Sequence, residues 1–259
     1  MRKALLGAVA FTVLLMGGAV AADLPVKAPP PPPPPLVYNW TGFYIGANAG
    51  YVWGDADVTW TAAPGSVVPQ IATAATGTIK TSAFTGGGQL GYNFQVNQFV
   101  VGLETDINYT DVSGSRSSVP IGFTNAMLST VESNWLWTLR GRLGLAADRV
   151  LLYATGGVAV ANVEYYDQLG IATLQTNSSD STRAGWTIGV GLEWALNHNW
   201  TVKAEYLYVD LGTVSYFDLC NPTAGCTGGV TVDRDLRENI ARVGINYRFG
   251  PSVPVVARY

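Results

Sequence analysis

The chain has 259 residues, of which only 13% are charged, with 15 basic and 18 acidic side chains. Tryptophan (8), tyrosine (13) and glycine (30) are abundant while histidine (1) is scarce, which favours strands and turns over helices. The acidic excess argues against a nucleic-acid-binding protein, because such proteins need basic surfaces.

The first residues form an export signal. Arg2 and Lys3 precede an apolar core over residues 4–16, and the segment ends in the small-residue cleavage site VAA. We predict a signal peptide over residues 1–22. Its removal takes away two basic residues and leaves 13 basic against 18 acidic side chains, a net charge of −5.

A proline-rich segment follows over residues 23–37 and contains an unbroken proline run at residues 29–35. Proline is excluded from central strands and from helix interiors, so we predict a stiff polyproline II spacer that rises about 3 Å per residue. We interpret the spacer as a tether on the periplasmic side. A recognition segment for another protein is the alternative.

From Thr41 to Phe249 the chain changes to segments in which apolar and polar side chains alternate, as in half-buried strands. Eight strands are predicted, at residues 42–53, 84–96, 99–109, 135–144, 151–165, 186–194, 200–208 and 241–249. The fifth alternates poorly because Gly156, Gly157 and other small residues fill its middle. Its register is therefore left open.

The predicted connections alternate in length. Three are short turns, at residues 97–98, 147–150 and 197–199. Four are long and polar, at residues of about 54–82, 111–132, 167–183 and 213–236. An even strand number with alternating short and long loops is typical of bacterial outer-membrane barrels. We predict an all-β fold: an eight-stranded antiparallel transmembrane β-barrel over residues 38–250, with short periplasmic turns, four long extracellular loops and a C-terminal extension over residues 251–259.

Aromatic residues mark the ends of the predicted strands, as interface girdles do. Towards the long loops these are Trp53, Phe84, Tyr109, Trp135, Trp186 and Tyr208. A helical membrane protein is excluded, because no second apolar run approaches about 20 residues. A secreted, calycin-like soluble barrel would turn these rings inward, where they would crowd a small barrel. The apolar faces are therefore assigned to lipid.

The polar faces carry charged side chains that such a barrel would enclose. They are Glu104, Asp106, Arg140, Arg142, Glu193, Lys203, Glu205, Arg242 and Arg248, four acids and five bases. Neighbouring antiparallel strands can pair such side chains. Because eight strands enclose a space that side chains can fill, we predict a nearly charge-balanced ion-pair ladder in the lumen. A gate or constriction that small ions cross is the functional alternative.

Other motifs do not indicate catalysis or metal binding. Cys220 and Cys226 enclose a turn-forming segment, and in an oxidising exported compartment they predict a local disulfide. The glycine-rich run at residues 86–91 matches a dinucleotide-binding pattern but lies in strands instead of leading into a helix. His198 has no nearby serine and acid to complete a catalytic set. We expect no catalytic residues, no metal, no cofactor and no nucleic-acid partner.

Four stretches carry a family resemblance: NWTGFYIGANAGYVWG, GGGQLGYNFQVNQFVVGLETD, WLWTLRGRLGLAADRVLLYATGGVAVANV and VGINYRFG. They resemble the alphaproteobacterial outer-membrane immunogenic proteins, small porin-like surface antigens with an eight-stranded, OmpA-like barrel. The resemblance implies an integral protein of the Gram-negative outer membrane, and some relatives are associated with haem-group binding. The chain departs from the simplest pattern by continuing beyond Phe249 to Tyr259.

We therefore expect a porin-like outer-membrane protein that contributes to envelope integrity, with passage of small solutes left open. The alternative is a binding module whose surface loops act as an adhesin, a phage receptor or a haem-group binder, although only tyrosines such as Tyr216 could hold haem there. Expected partners are outer-membrane lipid and lipopolysaccharide, the barrel assembly machinery, and peptidoglycan or periplasmic proteins at the spacer. The sequence does not define the oligomeric state.

Overall fold

The computed structural model describes residues 38–64, 73, 75–119, 127–169, 179–219 and 229–249. The predicted signal peptide, the proline-rich spacer, the pair Cys220 and Cys226, and the C-terminal extension lie outside these residues. The part of the chain that is described contains no helix long and apolar enough to cross a membrane.

The described residues form a closed barrel of antiparallel strands. The strands are β1 (Gly42–Ala62), β2 (Gly77–Val96), β3 (Phe99–Ser118), β4 (Met127–Ala147), β5 (Val150–Leu169), β6 (Ser179–Ala195), β7 (Trp200–Leu219) and β8 (Gly229–Phe249). Each strand pairs with the next along the chain, and β1 also pairs with β8. The predicted all-β, eight-stranded antiparallel barrel is confirmed.

Short turns join strands at one end of the barrel. They contain Asn97 and Gln98 between β2 and β3, Asp148 and Arg149 between β4 and β5, and residues 196–199 between β6 and β7. Asn97 and Asp148 adopt φ angles of 55° and 50°. Asparagine and aspartate tolerate this left-handed conformation better than most residues. The turns lie where the sequence predicted them, to within about one residue.

The predicted strand ends are wrong at the opposite end of the barrel. β1 continues to Ala62 and β2 begins at Gly77, although the sequence placed residues 54–82 in a loop. The strands beside the other three predicted long loops also continue into them, since β3 ends at Ser118, β4 begins at Met127, β5 ends at Leu169, β6 begins at Ser179, β7 ends at Leu219 and β8 begins at Gly229. Every strand therefore extends well beyond its predicted limit at this end.

A change of polarity along each face explains the error. On β1 the inward side chain of Asn48 is polar, whereas those of Val52 and Val58, on the same face, are apolar and buried. The outward face changes in the opposite sense, from Ile45 to Asp57. Because the apolar face switches sides while the strand continues, the local pattern resembles a strand end.

An apolar band surrounds the half of the barrel next to the short turns. Its outward side chains include Leu103, Ile107 and Val243, each more than half exposed. Exposed aromatic rings border the band, with Trp53, Phe84, Tyr109 and Trp186 on the far side and Phe43, Phe94, Phe99, Trp194, Trp200 and Phe249 beside the turns. A continuous exposed apolar belt between two aromatic girdles indicates that lipid surrounds this half.

The described barrel interior is filled in layers. An inner apolar cluster lies at the short-turn end and comprises Trp40, Val100, Leu151, Tyr153 and Ala195. An outer apolar cluster fills the opposite half and comprises Val52, Ala56, Val58, Trp60, Ala75, Ile79, Val112, Val131, Leu136, Ala159, Ala161, Val163, Tyr165, Leu207, Val209, Leu211, Val232, Leu236 and Ile240. Buried polar and charged side chains occupy the space between these clusters, and two more buried charges, Arg234 and Glu238, alternate with members of the outer apolar cluster on β8.

The register of β5, which the sequence left open, turns the odd-numbered residues inward. Leu151 and Tyr153 are buried, whereas Leu152 is exposed. Gly157 also faces inward, and a Cβ added there would stand 2.0 Å from the carbonyl oxygen of Leu139 on β4. Glycine at this position therefore permits the close approach of the two strands.

Candidate functional site

Eight charged side chains meet in the middle of the barrel. They are Glu104 and Asp106 of β3, Arg140 and Arg142 of β4, Glu193 of β6, Lys203 and Glu205 of β7, and Arg242 of β8, and all are buried. We call this group the ion-pair core. Residues two apart on a strand share a face, so each strand that contributes two charges directs both inward.

Arg140 lies at the centre of the ion-pair core. Its Nη2 is 2.6 Å from both Glu104 Oε1 and Asp106 Oδ2, and its Nη1 is 3.0 Å from Glu205 Oε1. Its Nε donates to Thr138 Oγ1 at 3.0 Å, and the Thr138 hydroxyl donates in turn to Asp106. One guanidinium thus binds three carboxylates with charge-assisted hydrogen bonds.

Two further cations complete the coordination of the same carboxylates. Arg242 Nη1 is 2.9 Å from Asp106 Oδ1, and Arg242 Nη2 is 2.6 Å from Glu205 Oε2. Lys203 Nζ lies 2.8 Å from Glu104 Oε1 and 3.0 Å from Glu104 Oε2. Each of these three carboxylates therefore contacts Arg140 and a second cation, which compensates for burying the negative charge.

Arg142 forms the part of the core nearest the short turns. It pairs with Glu193, and its guanidinium carbon lies 3.6 Å from the ring centre of Tyr153 and 6.0 Å from that of Tyr44. The Tyr44 hydroxyl donates to Glu104 Oε2 at 2.7 Å. Neither tyrosine was predicted from the sequence to face the core. Tyr44 could have been found from the alternation of β1, whereas Tyr153 depended on the undecided register of β5.

A chain of amides connects the core to β1 and β2. Asn48 donates to Gln89 at 3.0 Å, Gln89 donates to Asn246 at 2.5 Å, and Asn246 donates to Glu193 at 3.0 Å. These residues were assigned from sequence only to a polar face. Through these hydrogen bonds β1 and β2, which contribute no charge to the ion-pair core, become part of the same buried network.

Arg248 is the one predicted ladder residue that the structure places apart from the others. It forms no ion pair with any residue in the described ranges, and its Nη2 donates to the carbonyl oxygen of Thr41 at 2.9 Å. Its guanidinium lies against the rings of Tyr38 and Trp40 at the short-turn end. The eight residues of the ion-pair core therefore balance four carboxylates with four cations.

The ion-pair core leaves little surface accessible to water. Arg140 has no exposed surface, and Glu104 and Asp106 are each 2% exposed. The described residues contain no group of three or more histidine, cysteine, aspartate or glutamate side chains arranged to hold a metal ion. Chemically, the arrangement binds its own charges to one another, and an outside ligand would have to displace an existing partner.

A lipid-facing barrel with a filled interior is an architecture of Gram-negative outer-membrane proteins. A family model described as the outer membrane protein beta-barrel domain matches residues 9–249 of the chain. The chain belongs to this outer-membrane β-barrel family. It is accordingly a porin-like integral protein of the Gram-negative outer membrane, and the short turns of family members lie on the periplasmic side.

Similar proteins agree with this assignment. The 31 kDa outer-membrane immunogenic protein of Brucella melitensis is 37% identical over 256 residues, which cover 96% of this chain and all of the relative. The 25 kDa outer-membrane immunogenic protein of Brucella abortus is 30% identical over 231 residues, which cover 89% of this chain and 88% of the relative. The resemblance stated from the sequence motifs is confirmed.

A solved structure supports the fold independently. The crystal structure of the outer membrane protein OprG from Pseudomonas aeruginosa superposes with a TM-score of 0.51 and covers 83% of this chain and 99% of OprG. Sequence identity in that comparison is 15%. At this identity the similarity concerns the barrel fold alone.

One buried carboxyl of this outer-membrane barrel lies outside the ion-pair core. Glu238 of β8 is 2% exposed, and its inward neighbours Leu236 and Ile240 belong to the outer apolar cluster. Its outward neighbours, Arg237 and Asn239, are polar, so this part of β8 lies beyond the lipid-facing band. Glu238 Oε1 has no hydrogen-bond partner among the described residues. Burial alone raises the pKa of Glu238 from 4.5 to about 7.

Proposed function

We propose that this barrel is a closed, non-catalytic structural protein of the outer membrane, whose ion-pair core stabilises the fold instead of conducting ions. The observation that carries the proposal is Arg140, which binds three carboxylates and has no exposed surface. A constriction that ions cross needs charged groups that face water. Here the charges that could line it are bound to one another.

The two apolar clusters support the same proposal. The inner apolar cluster lies between the ion-pair core and the periplasm, and the outer apolar cluster lies on the other side of the core. An ion on this path would have to leave its hydration shell beside apolar side chains, which costs several kcal/mol or more. Three barriers in series thus oppose conduction.

Conductance in a planar bilayer tests the closed state. We expect refolded wild-type protein to give no discrete openings, because all three layers close the lumen. We expect Glu104→Ala to stay silent as well, because both apolar clusters remain in place. Heat-modifiable gel migration would confirm that each sample contains folded barrel. Discrete wild-type openings whose size changes in Glu104→Ala, but not in the exposed control Arg237→Ala, would falsify the proposal.

A second role, display of the surface loops, is favoured by the length of the strands. The strands continue past the lipid-facing band, and the outer apolar cluster gives this extracellular extension a buried core of its own. Relatives named immunogenic proteins fit a surface that reaches the outside of the cell. We propose that the extension holds the loops away from the lipid, where they can bind a partner.

Proteolysis on intact cells tests this display role. Val112→Asp puts a charge into the outer apolar cluster, and we expect an external protease to cleave the loops at least several-fold faster because the extension loosens. The adjacent Ser113 faces outward, so Ser113→Asp serves as the control and should be cleaved at the wild-type rate. Equal cleavage of the two variants would show that the extension does not hold the loops.

A further inference from the structure

Four residues that precede β1 cross the periplasmic mouth of the barrel. We call residues 38–41 the strap. The Trp40 side chain of the strap is fully buried and packs in the inner apolar cluster. Its neighbours there belong to β3, β5 and β6, whereas β1 pairs only with β2 and β8. The strap therefore connects the start of β1 to strands with which β1 does not pair.

Backbone and side-chain hydrogen bonds also hold the strap to the barrel. Trp40 N donates to Gln95 Oε1 at 2.7 Å, and Trp40 Nε1 donates to the carbonyl oxygen of Asp148 at 3.1 Å. Tyr38 N donates to Asp148 Oδ1 at 3.3 Å, and Thr41 Oγ1 accepts from Gln95 N at 3.0 Å. The strap thus reaches the end of β2 and the turn between β4 and β5.

Arg248 of β8 also contacts the strap. Its guanidinium carbon lies 4.8 Å from the ring centre of Tyr38 and 6.0 Å from that of Trp40, within range of a cation–π interaction. It also donates to the Thr41 carbonyl oxygen. The sequence predicted Arg248 as the fifth base of the ladder, whereas the structure places its guanidinium against the strap.

The chain enters β1 from the strap at Gly42. Gly42 has a φ angle of +141°, and a Cβ added there would stand 2.9 Å from the carbonyl oxygen of Phe249. Only glycine adopts this conformation readily. Gly42 therefore lets the chain pass from the strap into β1 close beside the backbone of Phe249 on β8.

We propose that the strap is a load-bearing anchor, which passes tension from the chain before residue 38 to the inside of the barrel. Without it, tension would act on the first hydrogen bonds of β1 and open the β1–β8 seam one pair at a time. With it, Trp40 must leave a buried apolar site while several hydrogen bonds break together. This inference deepens the proposed structural role by giving the barrel a mechanical connection to the periplasmic side, through the predicted proline-rich spacer.

Single-molecule pulling on the mature protein in a lipid bilayer tests the anchor. With the N-terminus held at constant force, we expect Trp40→Ala to shorten the lifetime before the first rupture on the order of 100-fold, because a fully buried tryptophan is lost. Trp200→Ala is the matched control, since Trp200 lies at the same end of the barrel but faces lipid. Its lifetime should stay within about threefold of wild type, as expected for an exposed site.

Pulling from the C-terminus separates anchoring from general stability. If Trp40 carries load, Trp40→Ala should shorten the lifetime only when the N-terminus is pulled. A wild-type lifetime in Trp40→Ala, or equal shortening from both ends, would overturn the proposal.

Asp148→Gly gives a milder test should Trp40→Ala fail to assemble. It removes the side-chain acceptor of Tyr38 N, while glycine tolerates the positive φ angle at this position, and it should shorten the lifetime from the N-terminus roughly fivefold, as for one lost hydrogen bond. An unchanged lifetime in Asp148→Gly would count against the anchor. Rupture lifetime and bilayer conductance are separate readouts, so failure of the anchor can be told apart from failure of the closed-barrel proposal.

Discussion

Replacing Arg140 with alanine is expected to lower the free energy of unfolding of the barrel by roughly 3–5 kcal/mol, the range seen when one partner of a buried charge network is removed. The variant leaves Glu104, Asp106 and Glu205 each with one cation fewer in a site that water does not reach. Denaturant titration of protein refolded into lipid vesicles, followed by heat-modifiable gel migration, measures the change.

Arg237→Ala is the matched control for this experiment. Arg237 also pairs with two carboxylates, Asp235 and Asp210, but its side chain is half exposed. Exposed pairs contribute at most about 1 kcal/mol, so the control should remain close to wild type. If Arg140→Ala loses no more stability than Arg237→Ala, the ion-pair core is not the stabilising centre that we propose.

A double variant separates loss of an ion pair from burial of unpaired charge. Arg140→Met with Glu104→Gln removes one cation and one anion together, so the core stays balanced. We expect it to be more stable than Arg140→Ala, because apolar or neutral replacement of a buried charge network is often tolerated. If the double variant is as unstable as Arg140→Ala, the loss of stability comes from the missing hydrogen bonds and not from uncompensated charge.

Raising the pH from 4.5 to 7 is expected to cost the barrel roughly 3 kcal/mol of stability through Glu238 alone. Its folded-state pKa is raised from 4.5 to about 7, so in this window the folded protein holds a proton that the unfolded chain has lost. The stabilising contribution of Glu238 is therefore complete below pH 4.5, decreases as the pH rises from 4.5 to about 7, and no longer changes above that pH. Unfolding midpoints at pH 4.5 and pH 8 give the change.

Glu238→Gln isolates this effect from every other titrating group. The amide keeps the shape of the side chain but does not ionise, so the difference between wild type and variant reports Glu238 itself. We expect the variant to gain stability relative to wild type as the pH rises, and to do so mainly below pH 7. Parallel pH profiles for the two proteins would show that Glu238 does not carry a buried proton.

The alternation of side chains within one strand is a local property, so the chain determines it without help from the fold. The stretch from Trp135 to Gly144 illustrates this, since its arginines and aromatic rings lie on opposite faces in the structure as they do in the sequence. Strand number, turn positions and the lipid-facing side followed from such patterns, because a period of two leaves only two faces to assign.

The limits of the strands were not readable in the same way, because the solvent around the barrel changes along its length. On β1, for example, the inward side chain is polar at Asn48 within the lipid-facing band and apolar at Val58 beyond it. Glu238 was missed for this reason, since it lies where the predicted eighth strand had not yet begun. Because the change from lipid to water reverses which face of the strand is apolar, a strand that crosses the boundary looks in sequence like a strand that ends there.

Within the predicted strands, alternation assigned nine charges to the inward face, and the closed barrel decided which of them meet. Arg140 binds Glu205 across the lumen, from β4 to β7, and Lys203 of β7 binds Glu104 of β3, although neither pair of strands is adjacent. The position of Arg248 beneath the strap also depends on the closure of β8 against β1. Such contacts join residues far apart in the chain, because a narrow barrel brings opposite walls within side-chain reach.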